Sequence, residues 1–131
     1  VEEMGILIDT SIIVDFLRRK DKKSSWFYKL SHDNDSLAIS ILTHAELYSG
    51  KSVYESQKNK RYLDSIISRL NIVVLDLPIS TLGARLRAKL GVDLLDCLIG
   101  ATAIRGGYQL ATLNSKHFKK MKNLKLLKPP R

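Results

Sequence analysis

Four polar residues fall where a chain of alternating strands and helices brings reactive groups together. Asp9 directly follows the short, β-branched apolar run Met4-Gly-Ile-Leu-Ile8, and Asn114 stands two residues beyond a second run, Leu110-Ala-Thr112. Glu46 and Asp96 lie on segments of helical spacing whose starts the same layout places near that edge. In open α/β sheets the ligand crevice lies outside the carboxyl ends of the strands, so polar residues just past a strand are the first to consider. Three carboxylates drawn there from separate segments repel one another and raise at least one pKa unless a divalent cation holds them. Carboxylate and water oxygens are the donors that Mg²⁺ and Mn²⁺ prefer. The lone Cys97 and the scattered His32, His44 and His117 give no zinc-ligand spacing.

Each acid also has a purely structural reading. Asp9 can cap the helix that follows it. Glu46 stands three residues after Thr43, the spacing of a capping box, and Asp96 repeats that relation to Asp93, which itself suits a cap. Asp96 resists this reading. Its segment, with Leu94, Leu95, Cys97, Leu98, Ile99, Ala101, Ala103 and Ile104, is apolar nearly all round and is expected to be largely buried. A carboxylate there is costly unless a cation or several donors offset it.

Charge adds a second line of argument. The chain carries 22 Lys+Arg against 13 Asp+Glu, a net charge of +9. Residues 115–131 hold Lys116, Lys119, Lys120, Lys122, Lys125, Lys128 and Arg131 with no acid, and Arg18, Arg19, Lys20, Lys22 and Lys23 surround Asp21. Lys58, Lys60 and Arg61 form a third cluster. Any one cluster can be a solvated face, but such a surface favours polyanions. An acidic metal site within basic flanks points to metal-dependent nuclease chemistry: the cations hold a phosphodiester backbone while the metal activates water.

The elements that must position these residues follow from periodicity and punctuation. Strands are expected at 4–8, 37–39, 72–75, 108–112 and 124–127. Helices are expected at 12–17, 24–33, 43–50 with a glycine C-cap, 53–70, from Pro78 to a stop at Gly91, 93–105 before Gly106-Gly107, and 114–120. This alternation implies βαβ crossovers and an α/β fold, a three-layer α/β/α sandwich with a mainly parallel central sheet. At 131 residues one domain, 1–131, is expected. With 44% hydrophobic and 27% charged residues the chain can build a core, which excludes a disordered chain. The apolar start is interrupted by Asp9 and Asp15, so no membrane span is expected, and a single cysteine excludes a disulfide framework and suits the cytoplasm.

In four segments the sequence resembles the PIN-domain nucleases, and within them the VapC-type toxins of toxin–antitoxin systems: Ile6-Leu-Ile-Asp9-Thr-Ser-Ile-Ile-Val-Asp-Phe16, Ile39-Ser-Ile-Leu-Thr-His-Ala-Glu46-Leu, Asp96-Cys-Leu-Ile-Gly-Ala-Thr-Ala103 and Leu110-Ala-Thr112-Leu-Asn114-Ser-Lys-His117-Phe118. They occur in the family's order across nearly the whole chain. The resemblance implies a PIN-like fold and an endoribonuclease in which Asp9, Glu46 and Asp96 bind Mg²⁺ or Mn²⁺, supported by the hydroxyls of Thr10 and Thr112. It also implies a VapB-type antitoxin and a homodimer. Asn114 takes a catalytic place where many members have a carboxylate, and His117 stands where an Asp often precedes the Phe. His117 is read as a helix-surface residue and Cys97 as a packing residue.

Arg18, Arg19, Lys20, Lys116, Lys119 and Lys120 are assigned to RNA binding by charge alone. Trp26, Phe27, Tyr28, Tyr48, Tyr54 and Tyr62 are expected mainly in the core, with partner surfaces as the alternative. The main competing reading is a non-catalytic RNA-binding module of the same fold. A receiver-like phosphoacceptor needs adjacent acids after the first strand, which Asp9-Thr10-Ser11 lacks, and a purely structural partner predicts no acidic cluster.

Overall fold

The computed structural model describes residues 4–129; Arg131 of the basic C-terminal segment lies outside them. The apolar runs pair side by side into one five-stranded sheet. Its strands β1 (Gly5–Ile8), β2 (Ala38–Ser40), β3 (Asn71–Val73), β4 (Tyr108–Ala111) and β5 (Lys125–Leu127) lie in the order β3-β2-β1-β4-β5 with every neighbouring pair parallel. The chain winds outward from β1 through β2 to β3, then returns to place β4 on the other side of β1. The topological switch point, where α/β sheets bind ligands, therefore lies between β1 and β4.

Successive side chains of a strand face opposite ways, so β1 serves two cores. Ile6 and Ile8 pack with Ile12, Ile13, Phe16, Phe27, Ile39, Leu63 and Ile66 under α1 (Thr10–Arg18), α2 (Trp26–Asp33), α3 (Ile41–Tyr48), α4 (Lys51–Glu55) and α5 (Gln57–Ile67). Leu7 faces Cys97, Ile99, Leu110, Phe118 and Met121, the core on the side of α6 (Leu77–Leu90), α7 (Leu94–Gly106) and the single turn α8 (Ser115–Phe118). These are the three layers expected from the sequence. Gly91 (φ 69°) and Gly107 (φ 72°) end α6 and α7 in the left-handed conformation that glycine adopts without steric cost.

Several boundaries differ from the periodicity. The helix expected over 53–70 is two, broken at Ser56, whose extended backbone (φ −145°) and hydroxyl cap α5 by accepting from the Asn59 amide. The helix expected at 43–50 begins at Ile41 under a Ser40 cap and ends before Ser49, so Gly50 precedes α4 rather than closing α3. The β-branched run 72–75 yields a strand only at Asn71–Val73. It lies at the sheet edge, where Ile72 and Val74 remain exposed. Lys22 is no free surface cation: its ammonium donates to the carbonyls of Phe16 (2.7 Å) and Leu17 (2.8 Å), closing the C-terminus of α1.

Packing of α6 on α7 depends on a close approach at Gly83. A Cβ there would stand 2.5 Å from Leu98 Cδ2 and 3.2 Å from Leu98 Cα, two residues beyond Asp96. Gly83→Ala is therefore expected to destabilise the protein by about 1–3 kcal/mol through overpacking. Urea denaturation measures this, and an unchanged midpoint would contradict the close contact.

Candidate metal and active site

Register brings the first acid to the switch point. β1 and β4 pair from Gly5 with Tyr108 to Ile8 with Ala111, so the two central strands end level. The Asp9 amide then donates to the Ala111 carbonyl at 2.9 Å. Asp9 is 4% exposed and is the N-cap of α1. Its Oδ1 accepts from the Thr10 amide at 2.8 Å, while Oδ2 accepts from Ser11 Oγ at 2.9 Å and Thr112 Oγ1 at 2.7 Å. The capping reading thus accounts for one oxygen only. Three donors offset the cost of burying the group. Thr112 in turn accepts from the Asn114 amide at 2.9 Å, and Ser11 accepts from the Leu113 amide at 3.1 Å, so the loop leaving β4 is tied to the start of α1.

Glu46 reaches the same corner from α3. Its Oε1 accepts from Thr10 Oγ1 at 2.7 Å, and Thr10 Oγ1 also lies 3.0 Å from Thr43 Oγ1. The capping-box reading of Thr43 and Glu46 fails, because α3 begins two residues before Thr43. Ser40 is the cap, with its hydroxyl accepting from the Leu42 amide at 3.1 Å. Freed from that role, Thr43 is fully buried and Glu46 is exposed.

Asp96 lies in the first turn of α7, after Asp93 in the N-cap position, whose side chain makes no capping bond. The helix is less buried than its composition suggests: Cys97 and residues 99–103 are buried, whereas Leu94 and Leu95 are 47% and 39% exposed. Partial burial pushes the Asp96 carboxyl above its ordinary range, and the negative charges of Asp9 and Asp93 push it further, against a lowering contact from His117. The charge of Asp9 therefore reaches the Asp96 carboxyl.

His117, expected on the helix surface, keeps an exposed ring but sets Nδ1 2.8 Å from Asp96 Oδ2. Phe118, buried beside it, anchors the turn that aims it. Its place before that Phe, where an Asp often stands, was the available sequence signal. Asn114 sits exposed at the rim beside Thr112, and its side chain does not cap α8. Cys97 is fully buried with Sγ 3.4 Å from the Val92 carbonyl, and burial pushes its thiol up, as a packing residue requires.

Among the described residues no three His, Cys, Asp or Glu side chains are gathered tightly enough in this conformation to enclose a metal ion. The donor set nevertheless fits one kind of ion. Mg²⁺ commonly takes one or two carboxylates and keeps several waters, and Asp9 and Asp96 are two carboxylates whose mutual repulsion a cation would relieve.

The basic residues divide. Lys116 on α8 and Lys119 and Lys120 just after it are exposed on the segment that touches Asp96. Arg18 and Glu46 line one cleft of about 460 Å³ with Val14, Leu17 and Leu47. Arg19 is held by Asp15 at 2.8 Å and Ser24 at 3.1 Å, and Lys20 is exposed. Of the aromatic residues, Trp26 and Phe27 are buried, whereas Tyr54 and Tyr62 are 64% and 43% exposed.

Residues 6–124 match the model of the PIN domain family. Ribonuclease VapC1 of Methanocaldococcus jannaschii is 30% identical over 130 residues, covering 95% of this chain and 87% of that protein. Ribonuclease VapC1 of Rickettsia felis is 32% identical over 134 residues, covering 95% and 96%. The crystal structure of VapBC2 from Rickettsia felis bound to a DNA fragment from their promoter superposes with a TM-score of 0.80 at 28% identity, covering 97% of this chain and all of that one.

The raised Asp96 carboxyl has a consequence for stability. Below the ordinary value of 3.8 the group is protonated in folded and unfolded chains alike, so no penalty exists; once pH exceeds the raised folded value the ionised form is disfavoured in full. Asp96→Asn is therefore expected to melt higher than the parent in EDTA at about pH 7, with the advantage vanishing below 3.8. Thermal melts across that range measure it, and a variant less stable at neutral pH would contradict the assigned cause.

Proposed function

Because this chain belongs to the PIN-domain family, we propose that it is a metal-dependent endoribonuclease, the toxin of a toxin–antitoxin pair, which hydrolyses RNA phosphodiester bonds. One observation carries the reading: at the sheet's switch point the buried Asp9 carboxylate is held by three donors, its charge reaches Asp96 on α7, and Glu46 is hydrogen-bonded to the helix that Asp9 caps. The residue-level likeness to ribonucleases that span almost the same length supports it.

In this reading Asp9, Asp96 and Glu46 hold Mg²⁺ or Mn²⁺. When bound, such an ion supplies Lewis acidity at the phosphoryl group and makes water a competent nucleophile near neutral pH. The rest is the work of the chain itself. Thr112 and Ser11 fix one Asp9 oxygen, Thr10 fixes Glu46 and His117 fixes Asp96, so each carboxylate meets the substrate with its orientation set. Asn114 supplies a neutral amide at the rim, where it can hydrogen-bond a phosphate oxygen without adding charge. Lys116, Lys119 and Lys120 grip the backbone beside Asp96, and Arg18, Arg19 and Lys20 extend the basic surface from the far end of α1. Contacts of this kind position RNA without reading its bases.

A cognate VapB-type antitoxin restrains the enzyme in the cytoplasm, and the protein acts as a homodimer. The apolar side chains left exposed at Leu94, Leu95 and Leu113 are surface that such partners can cover. Among the described residues no helix is long and apolar enough to cross a membrane. The second reading, a non-catalytic RNA-binding module, draws on the open spacing of the acids.

Total RNA incubated with the purified protein and Mg²⁺, Mn²⁺ or EDTA separates the two. The nuclease reading expects discrete metal-dependent cuts that fall by at least about 10²-fold in Asp9→Asn and in Asp96→Asn, beyond the usual loss for an outer-shell partner. Salt-sensitive RNA binding with no cleavage under any metal, unchanged in both variants, would instead establish the binding module.

A further inference from the structure

Thr43 behaves unlike the threonines within α6 and α7. The hydroxyls of Thr81 and Thr102 turn back to the carbonyls four residues earlier, Leu77 at 2.9 Å and Leu98 at 2.7 Å, the usual resort of a threonine inside a helix. Thr43 is fully buried on α3, and its hydroxyl instead crosses to α1, 3.0 Å from Thr10 Oγ1. That same Thr10 oxygen lies 2.7 Å from Glu46 Oε1.

Proton accounting gives this triplet a direction. A hydroxyl owns one proton and two acceptor lone pairs, and a carboxylate can only accept. Thr10 must therefore give its proton to Glu46, which leaves it to accept from Thr43. The order is Thr43 to Thr10 to Glu46, a relay that begins on the buried face of α3 and returns to the exposed face of the same helix. Glu46 needs such help. It is an exposed side chain with three rotatable bonds, whereas Asp9 is short, buried and held by three donors.

We propose that Thr43 is a positioning residue: by donating to Thr10 it commits the Thr10 proton to Glu46 and holds that carboxylate facing a hydrated divalent cation. The proposal rests on the metal site argued above and adds to it a residue with no contact to ion or substrate. A branched side chain, stiff at χ1, in a fully buried position suits the part.

Calorimetric titration of the metal-free protein with Mn²⁺ tests it, with thermal melts as the control for folding. Thr43→Val keeps the shape and removes the hydroxyl, and is expected to weaken Mn²⁺ binding by about tenfold, the lower range for an outer-shell partner. Thr43→Ser restores the hydroxyl and is expected to bind within about twofold of the parent on the same scale. In a Thr10→Val background Thr43→Val is expected to add nothing, since the relay is already cut. Should Thr43→Val not fold, Thr43→Ala carries the same expectation. Parent-like binding by Thr43→Val, serine binding as weakly as valine, or full additivity with Thr10→Val would each overturn the relay alone. A parent that does not bind Mn²⁺ would overturn it together with the metal reading.

Discussion

Thr112 and Asp9 are 103 residues apart in sequence, yet the hydroxyl of one donates to the carboxylate of the other at 2.7 Å in a buried setting. That bond exists because β1 and β4 pair residue for residue to a common end, and because the Asp9 amide continues the ladder one step further, to Ala111. A slip of one residue would turn Asp9 to the other face of the sheet. The core specifies the register: Leu7, Ile8, Leu110 and Ala111 are fully buried, and each fits only the side of the sheet on which it lies. Hydrophobic patterning in two short strands thus fixes the position of the first acid.

From that point the polar corner extends by short links. Asp9 caps α1, which places Thr10 within reach of α3 and so of Glu46. The loop after β4 is tied by Thr112 and Ser11 and leads into the turn that carries His117 to Asp96. Each carboxylate is held by a neighbour from another segment, so negative charge gathers in a partly buried place within a chain of net charge +9. Such a gathering is unfavourable alone: partial burial raises the Asp96 carboxyl first, and the charges of Asp9 and Asp93 add to it. It is favourable where a cation and a polyanion meet.

Much of this was legible in the sequence. The apolar runs marked the strands, and the alternation marked the three layers and the carboxyl edge of the sheet. Asp9 stood where a strand ended, and an acid on the apolar segment of Asp96 was hard to explain otherwise. What stayed hidden depended on contacts between segments. Spacing made Thr43 and Glu46 look like a capping box, because the two-residue extension of α3 under Ser40 has no periodic signature. His117 looked like surface since nothing local shows that a buried Phe118 turns its ring toward another helix. Lys22 was grouped with the basic cluster around Asp21 because charge counting does not see the carbonyls at the end of α1. The break at Ser56 escaped because a serine within an amphipathic pattern reads equally well as helix interior or as cap.

Everything proposed for the acids at the switch point depends on their forming a divalent-cation site. A crystal structure of the protein grown with Mn²⁺, read by anomalous scattering at the manganese edge, tests it most directly. A peak is expected within about 2.0–2.3 Å of oxygens from both Asp9 and Asp96, with Glu46 turned toward the ion directly or through water, as hard oxygen coordination requires. A saturated crystal whose only peaks lie away from Asp9 and Asp96 would contradict it.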